Sequence, residues 1–210
     1  PGNRTPLKIK IMFKYKIIDN FLNENDLFEL NSIKLDEIPQ NSIKIYHNEI
    51  DKDNKIITNS LDQEIIKGLH KNYHAKAFKI LEELNYEKSQ LYEYSDFTII
   101  KTGKNYKFPI HDDTPNKLLS GVIYLSPEIN TGTILFDDKQ GNNKHTIEWK
   151  RNRSLFFSRR ERESWHSYEG NNISDRIALV YNLMTTQIKK VYEIEKKSYI
   201  LGNLRWRLNP

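Results

Sequence analysis

Residues 105–127 read NYKFPIHDDTPNKLLSGVIYLSP, two segments rich in large apolar residues that are joined by a polar turn. Segments of this kind, bounded by clusters of Asp, Asn, Gly, Pro and Thr, are typical of β-strands connected by short turns. The same pattern continues from Leu91 to Met184, with further turns at TGKN, SPEINTG, DDKQGNN and EGNNISD. This segment therefore predicts a β-sandwich or a barrel.

The residues before Leu91 predict a mixture of strands and helices. Alternating apolar residues predict a strand over 13–19, and Asn23 is a suitable N-cap for a helix that ends near Ser32. Two further strands are expected over 43–50 and 55–58, on either side of the turn-forming sequence DKDN. The fold class is therefore mainly β with flanking helices, an α+β arrangement.

A long helix is predicted after Ser60, the expected N-cap, and it should end near Asn85. Its apolar residues recur every three or four positions, which is the spacing of one helix face packed on a sheet. They are Leu61, Ile65, Leu69, Tyr73, Ala77, Ile80 and Leu84. The last segment, 189–210, mixes charged and apolar residues and is expected to add a strand or a closing helix.

The length and composition favour one domain. A chain of 210 residues with 37% hydrophobic residues can bury a core, and it contains no internal repeat. We expect a single domain over 12–210 with its β-rich core at about 91–184. Residues 1–11 precede Met12 and carry no structural pattern, so we interpret them as leader or cloning-derived residues.

The composition also limits the chemistry. The chain has no cysteine, so any bound metal ion must be held by histidine nitrogen or carboxylate oxygen. No apolar run approaches the roughly 20 residues that span a membrane, and no secretory signal is evident, so we expect a cytoplasmic protein without a membrane partner. The net charge of +5 is spread along the chain and does not form a basic-aromatic stripe, so a nucleic acid is not an expected partner.

The sequence HDD at 111–113 follows a predicted strand. In extended backbone, alternate side chains share a face, so His111 and Asp113 point to the same side and Asp112 points away. A third ligand must come from a distant strand, and His166 follows Asp113 by 53 residues, just after the apolar strand SLFF. Two histidines and one carboxylate form a facial triad, which leaves three adjacent positions open on Fe(II).

Arg176 begins the apolar strand RIALVYNLM, ten residues after His166. A guanidinium at the end of a buried strand requires an anionic partner, and a carboxylate matches its two parallel N–H groups. Arg176 is therefore predicted to bind the carboxylate of a ligand.

The order of these features resembles the Fe(II)/2-oxoglutarate-dependent oxygenase superfamily, especially its prolyl 4-hydroxylase-like branch. The resemblance spans about 91–184 and includes KTGKNYKFPIHDD, with Gly103 and Phe108, and TGTILFDD, with Thr131 where the family has a glycine. It implies a double-stranded β-helix, also called a jelly roll, backed by the N-terminal helices. One departure is that Lys101 and Thr102 stand where related hydroxylases often carry tyrosine.

The resemblance also implies cofactors and residue roles. Fe(II) would be held by the catalytic and metal-binding residues His111, Asp113 and His166, and 2-oxoglutarate by Arg176 together with Tyr124 in GVIYLSP. O2 would be the co-substrate. The implied activity is a dioxygenase that hydroxylates an aliphatic carbon, a prolyl or other residue of a protein or peptide, while 2-oxoglutarate is decarboxylated to succinate.

Other functions remain open. The same chemistry could act on a small molecule or a glycan, and a non-enzymatic jelly-roll binding module or a cupin-like metal protein without 2-oxoglutarate would share the fold. Nucleic-acid demethylation ranks last among the enzymatic alternatives.

Each candidate residue also has a structural interpretation. His111 and Asp113 could belong to a turn, His166 could be a half-buried structural histidine, Tyr124 could be a core residue, and Arg176 could pair with Asp175 or Glu169. The remaining histidines, His47, His70, His74 and His145, are predicted to be structural or exposed. The run RRERE from Arg159 is predicted to be a solvated loop, with Arg160 or Arg162 as alternatives for the substrate entrance.

Overall fold

The structure is a computed structural model that describes residues 13–208. Within this range, two antiparallel sheets face each other and four helices flank them. The interpretation of residues 1–11 lies outside the described residues. The single domain over 12–210 stays a prediction, whereas the predicted jelly roll with flanking helices is confirmed.

The elements follow the predicted order of strands and helices, and their bounds are as follows. The strands are β1 (Tyr15–Ile18), β2 (Ile43–Tyr46), β3 (Glu49–Asp51), β4 (Ile56–Thr58), β5 (Tyr94–Thr102), β6 (Lys107–His111), β7 (Lys117–Ser126), β8 (Ile134–Phe136), β9 (His145–Thr146), β10 (Ser154–Phe157), β11 (Trp165–Glu169) and β12 (Arg176–Met184). The helices are α1 (Glu24–Ser32), α2 (Gln63–Ser89), α3 (Ile188–Ile194) and α4 (Tyr199–Leu208).

The major sheet has the strand order β1-β10-β7-β12-β5-β3-β4, and β2 also pairs with β5. The minor sheet has the order β6-β11-β8-β9. In the minor sheet, β6 pairs with β11 and β11 pairs with β8, strands that are far apart in the sequence, because from β5 onward the chain crosses between the sheets after almost every strand. The space between the sheets is therefore lined by residues from all of the β-rich segment.

Helix α1 begins as predicted. The side chain of Asn23 accepts a hydrogen bond from the backbone N–H of Asp26, which is the N-cap geometry. For α2 the predicted cap was wrong: Asp62 caps the helix by accepting from Glu64 N, and the Ser60 hydroxyl instead donates to the carbonyl of His47.

The predicted end of α2 marks a kink. Asn85 has a non-helical conformation, with φ of −160° and ψ of 91°, but a further turn of helix continues to Ser89. The predicted apolar face is confirmed, because Leu69, Tyr73, Ala77 and Ile80 are buried against the major sheet. These contacts form the largest apolar core of the protein and leave the opposite face of the sheet for the site.

The predicted strand over 43–50 is two strands, β2 and β3. Asn48 interrupts it, because its side chain donates to Phe97 O at 2.7 Å and accepts from Ser60 N and Leu61 N at 2.8 and 2.9 Å. These buried hydrogen bonds pull the backbone out of the ladder and join the strand to the start of α2.

The C-terminal segment is helical, with α3 and α4 packed against one another. Of the two predicted outcomes, a strand or a closing helix, the helix is therefore correct. In the described part of the chain, no helix combines the length and the apolar character that a membrane crossing demands. The cytoplasmic location stays a prediction.

Candidate metal and carboxylate site

The structure brings His111, Asp113 and His166 together between the two sheets. His111 ends β6, His166 lies in β11, and the two residues are direct partners in the antiparallel register. One potential ligand atom of each of the three residues lies within 4.8 Å of the others. The extended backbone of 111–113 aims His111 and Asp113 into this cluster and turns Asp112 outward, as the strand periodicity predicts.

Backbone carbonyls orient both imidazole rings. The Nδ1 atom of His111 lies 3.0 Å from Pro109 O, and the Nδ1 atom of His166 lies 3.0 Å from Ser164 O. Because a carbonyl oxygen only accepts hydrogen bonds, each Nδ1 carries the proton and donates it. Each Nε2 then keeps a free lone pair, which is the arrangement of metal-binding histidines.

The charge state of His111 also suits a metal ligand. Burial and the neighbouring His166 ring lower the pKa of His111 to about 4, and Asp113 opposes this shift only partly. The ring centroids of His111 and His166 are 4.2 Å apart. A neutral His111 avoids repulsion at this distance and can donate its lone pair at neutral pH.

The carboxylate of Asp113 is held by two neighbours on the next strand. Lys117 Nζ lies 2.6 Å from Asp113 Oδ1, and Ser120 donates a hydrogen bond of 2.6 Å to Oδ2. Burial alone would raise the pKa of Asp113, but Lys117 and the two imidazoles outweigh it and hold the pKa below its usual range. Asp113 is therefore an anion with a fixed orientation.

Arg176 lies deeper between the sheets, at the start of β12 and opposite Thr102. Its side chain is 3% exposed and Nε has no hydrogen-bond partner among the described residues. Burial lowers the pKa of Arg176, although Tyr168 and Tyr124 oppose this. Neither Asp175 nor Glu169 pairs with it in the described structure, so the alternative of a surface ion pair was wrong.

Two tyrosines approach the Arg176 guanidinium. Its central carbon lies 4.2 Å from the ring centroid of Tyr168 and 5.7 Å from that of Tyr124. The Tyr124 hydroxyl donates to Thr133 Oγ1 at 3.0 Å and accepts from Thr133 N at 2.9 Å. Tyr124 is therefore beside Arg176 as predicted, but its hydroxyl is committed to Thr133.

Tyr168 was not predicted as a site residue. It lines the same cavity as His166 and Arg176, and its hydroxyl is buried with no hydrogen-bond partner among the described residues. Burial raises the pKa of Tyr168 to about 12, so the hydroxyl stays protonated. The strand period offers a signal for it, since Tyr168 follows His166 by two residues and shares its face.

Two connected cavities adjoin these residues. The inner cavity has a volume of about 120 Å³ and extends from His111 and Asp113 to Arg176. Its other walls are mostly apolar, formed by Ile100, Val122, Phe157 and Val180. The outer cleft is wider, about 940 Å³, and shares Phe108, His111, Asp113 and Lys117 with the inner cavity.

The outer cleft is bordered by the C-terminal helix and by loops of the minor sheet. Its walls include Trp165, Asp138, Lys139, Arg162 and Trp206. Of the two arginines considered for an entrance, Arg162 lines this cleft, and Arg160 instead lies at a separate cavity near Phe13.

The prediction of a solvated RRERE loop was wrong for two of its members. Arg159 and Glu161 are buried, with 0% and 4% of their surface exposed. They are paired with each other and with Glu195 and Arg205 from the C-terminal segment. These partners lie too far along the sequence for a local charge pattern to reveal them.

The other histidines have structural contacts. His70 Nδ1 lies 2.8 Å from Asn54 Oδ1, and its ring stacks on that of His74 with centroids 4.7 Å apart. His47 contacts Thr98, and His145 contacts the hydroxyl of Tyr15. Within residues 13–208, only His111, Asp113 and His166 form a group of three or more potential ligands.

Comparison with known proteins gives a fold-level match. No protein-family model and no curated protein sequence matches the chain. Among solved structures, a prolyl-4-hydroxylase from Pseudomonas putida is similar with a TM-score of 0.55 and 12% identity, over 81% of this chain and 92% of that one. A 2OG-Fe(II) oxygenase family oxidoreductase from Burkholderia pseudomallei has a TM-score of 0.58 and 16% identity, over 81% and 84%.

A third similar structure is a prolyl hydroxylase from Trichoplax adhaerens, solved with a peptide fragment of the hypoxia inducible factor oxygen degradation domain. Its TM-score is 0.55 at 17% identity, over 84% of this chain and 86% of that one. All three share the jelly-roll arrangement at an identity too low to transfer an activity. The chain therefore has the fold of the 2OG-Fe(II) oxygenases and of their prolyl hydroxylase-like members.

Proposed function

We propose that this protein is an Fe(II)- and 2-oxoglutarate-dependent dioxygenase that hydroxylates an aliphatic carbon of a protein or peptide. The proposal rests on the side chains that line the inner cavity. This cavity has two imidazoles and a carboxylate at one end, and at the other a buried guanidinium whose Nε has no hydrogen-bond partner in the described part of the chain.

The three proposed metal ligands fit Fe(II). Both histidines present a free Nε2, and Asp113 adds one negative charge, so the donor set is two nitrogens and one oxygen. Three ligands on one side leave open positions for a chelating ligand and O2. Lys117 and Ser120 hold the Asp113 carboxylate in place, so the protein itself limits how its oxygens can turn toward the ion.

Arg176 is the proposed partner of the far carboxylate of 2-oxoglutarate. A buried cation without an anion is unfavourable, and a bidentate carboxylate would supply the missing charge and hydrogen bonds. The guanidinium carbon lies over the Tyr168 ring at 4.2 Å and is 5.7 Å from the Tyr124 ring, so both rings restrict its movement. We assign both tyrosines to orienting Arg176, with the free hydroxyl of Tyr168 nearer the ligand space.

The cavity walls support oxidation chemistry. When bound, Fe(II) and 2-oxoglutarate supply the oxidation of an unactivated C–H bond by O2, with release of succinate and CO2. Ile100, Val122, Phe157 and Val180 line the space between the metal ligands and Arg176, and their apolar surfaces would exclude water from it once a ligand fills it. This exclusion strengthens the carboxylate–guanidinium interaction and protects the reacting groups from side reactions.

The outer cleft is the proposed substrate site. It opens directly on His111 and Asp113, and its volume of about 940 Å³ is large enough for several residues of an extended chain. The likeness to prolyl hydroxylases, one of them solved with a peptide, favours a peptide substrate. A small metabolite would leave most of this cleft empty.

The cofactor assignment is tested by anaerobic titration with Fe(II) and then with 2-oxoglutarate, followed by the visible charge-transfer absorption of the chelate. We expect the band in the wild type, no band in His166→Ala, and a requirement for at least roughly tenfold more 2-oxoglutarate in Arg176→Ala. Arg151→Ala, an exposed arginine far from the cavity, is the matched control. A folded wild type without the band would disprove the proposal.

The substrate class is tested separately. Proline-containing peptide pools are incubated with the loaded enzyme and examined by mass spectrometry for the gain of one oxygen atom. Oxidation of a peptide supports the proposed class. Turnover of 2-oxoglutarate that responds only to metabolites, and not to peptides, would assign the same chemistry to a small molecule.

A further inference from the structure

A network of six charged side chains, five of them buried and the sixth 20% exposed, lies between the C-terminal helices and the segment 111–113. Three carboxylates and three cations balance one another, and each makes at least one ion pair within the group. The members are Lys88, Asp112, Arg159, Glu161, Glu195 and Arg205. Buried ions of this kind are tolerated only when each of them is paired, so the network fixes the elements that supply it.

The network meets the proposed metal site at two points. Arg205 of α4 binds Asp112 with both terminal nitrogens, and the Nη1–Oδ2 distance is 3.0 Å. Arg159 Nε donates to the backbone carbonyl of Asp113 at 3.0 Å. Asp112 and the peptide bond that follows Asp113 are therefore both held by contacts that lie outside the inner cavity.

Asp112 has a further contact on the same side. Its Oδ2 accepts a hydrogen bond of 2.9 Å from Arg162 N, and its side chain is 0% exposed. In extended backbone, the Asp112 side chain points away from His111 and Asp113. Fixing this side chain fixes the peptide planes on either side of it, and these planes set the directions of both proposed ligands.

Arg205 itself is held in a defined orientation. Its guanidinium carbon lies 4.7 Å from the ring centroid of Trp206 and 5.7 Å from that of Trp165, the residue that precedes His166. Glu161 also accepts a hydrogen bond from Arg205 Nη1. Arg205 therefore contacts Asp112, the residue that follows β6, and Trp165 in β11.

We propose that Arg205 is a positioning residue of the metal site, and that α4 acts through Asp112 to set the spacing of His111 and Asp113. This inference rests on the proposed function, because it concerns the affinity of the same three ligands for a metal ion. It makes α4 a part of the active-site framework and not only a surface helix.

The test is calorimetric titration of the full chain with Co(II), which stands in for Fe(II) and does not require exclusion of air. Outer partners of metal ligands typically change metal affinity by about 10–100-fold, and we expect Arg205→Gln to weaken Co(II) binding within this range. Arg205→Lys keeps the charge but loses the two-point contact, so it should recover part of the affinity.

A double-mutant cycle tests whether Arg205 acts on the metal ligands through Asp112. If Arg205 acts through Asp112, Asp112→Asn should weaken Co(II) binding by a similar factor, and the double variant Asp112→Asn/Arg205→Gln should be no weaker than the single variants. The double variant also removes one positive and one negative charge, so it keeps the network balanced if Arg205→Gln alone folds poorly. If the losses of Co(II) affinity in the two single variants add up in the double variant, Arg205 does not act through Asp112 and the proposal is overturned.

Leu81→Ala is the control for a general loss of stability. Leu81 is fully buried in α2 against the apolar core and has no part in the charged network. It should lower the thermal midpoint while the Co(II) affinity stays unchanged. Equal weakening of Co(II) binding in Leu81→Ala and Arg205→Gln would show that Arg205 acts only through stability.

The Co(II) titration distinguishes a failure of this inference from a failure of the proposed function. If the wild type binds Co(II), His166→Ala does not, and Arg205→Gln binds as the wild type does, only the positioning role is overturned. If the folded wild type binds no Co(II), both are overturned.

Discussion

His111 and His166 face each other across the antiparallel pair β6–β11, with their ring centroids 4.2 Å apart. Each ring is turned by a hydrogen bond from Nδ1 to the carbonyl oxygen two residues before it. The same hydrogen bond therefore occurs on both strands, and it directs both Nε2 atoms toward Asp113. A metal ion bound there would join two neighbouring strands of the minor sheet.

A metal ion should therefore stabilise the fold. At about 100 times its dissociation constant, a ligand of the native state adds about 2.7 kcal/mol to the free energy of unfolding. For a chain of this size, we expect Co(II) to raise the thermal midpoint by about 5–10 °C. Differential scanning fluorimetry should show this shift in the wild type and in His145→Ala, a histidine of the same sheet, but not in His166→Ala.

Acid should destabilise the metal-free protein between pH 6.5 and pH 4. Burial lowers the pKa of both His70 and His111 to about 4, with smaller contributions from His74 and His166 respectively. Between these pH values the unfolded chain binds protons that the folded protein does not, so the free energy of unfolding falls as the pH falls. For the buried His70, the loss is on the order of 3 kcal/mol at most.

Urea denaturation of the wild type and of His70→Gln at pH 7 and at pH 4.5 measures this dependence. The variant should lose less stability than the wild type on acidification, because one of the two histidines is absent. An identical loss in both proteins would contradict the assignment to His70.

The two tyrosines near Arg176 should differ in their effects on stability. Tyr124→Phe leaves the buried Thr133 N–H without an acceptor, and an unsatisfied buried group of this kind costs about 1–3 kcal/mol. Tyr168→Phe removes a hydroxyl with no hydrogen-bond partner in the described structure, so the free energy of unfolding should be unchanged or slightly higher. Urea denaturation of the two variants compares them directly, and equal losses would argue against this difference.

Arg176 is expected to lower stability in the absence of a ligand. Its charge is buried and its Nε has no hydrogen-bond partner within residues 13–208, so Arg176→Met should raise the free energy of unfolding of the ligand-free protein, on the order of 1 kcal/mol. The same variant should lose the stabilisation that 2-oxoglutarate, with Co(II), confers on the wild type.

Thermal denaturation with and without 2-oxoglutarate tests both effects. Arg151→Met, which changes an exposed arginine, should behave as the wild type under both conditions. A large loss of stability in ligand-free Arg176→Met would mean that the guanidinium serves the fold and not a ligand.

Local patterns in the sequence determined much of the fold. The short apolar segments and turns from Leu91 to Met184 predicted the β-rich core, and the spacing of apolar residues in α2 predicted the face that packs on the sheet. The Asn23 cap was also predicted, but the Asp62 cap was not, because Ser60 forms a hydrogen bond to His47 across the fold. Caps that compete with tertiary contacts cannot be assigned from neighbouring residues alone.

The candidate site was likewise predicted from the sequence only in part. The strand period placed His111 and Asp113 on one face, and the spacing of His166 and Arg176 identified them as candidates. Only the tertiary structure decided that the Tyr124 hydroxyl is hydrogen-bonded to Thr133 while that of Tyr168 has no partner among residues 13–208. Both tyrosines lie on β-strands of the core, and the position of Thr133 next to Tyr124 distinguishes them.

The charged network is the feature that depended most on tertiary structure. The sequence RRERE favours a solvated loop, because isolated charges are costly to bury. Arg159 and Glu161 are nevertheless buried, since Glu195 neutralises Arg159, Arg205 neutralises Glu161, and Lys88 from α2 forms a second ion pair with Glu195. The sequence by itself determined the strands, the helices and the faces of the candidate ligands, because these depend on local backbone geometry. The tertiary structure alone decided which distant charges meet, because burial of an ion depends on partners that only the folded chain brings together.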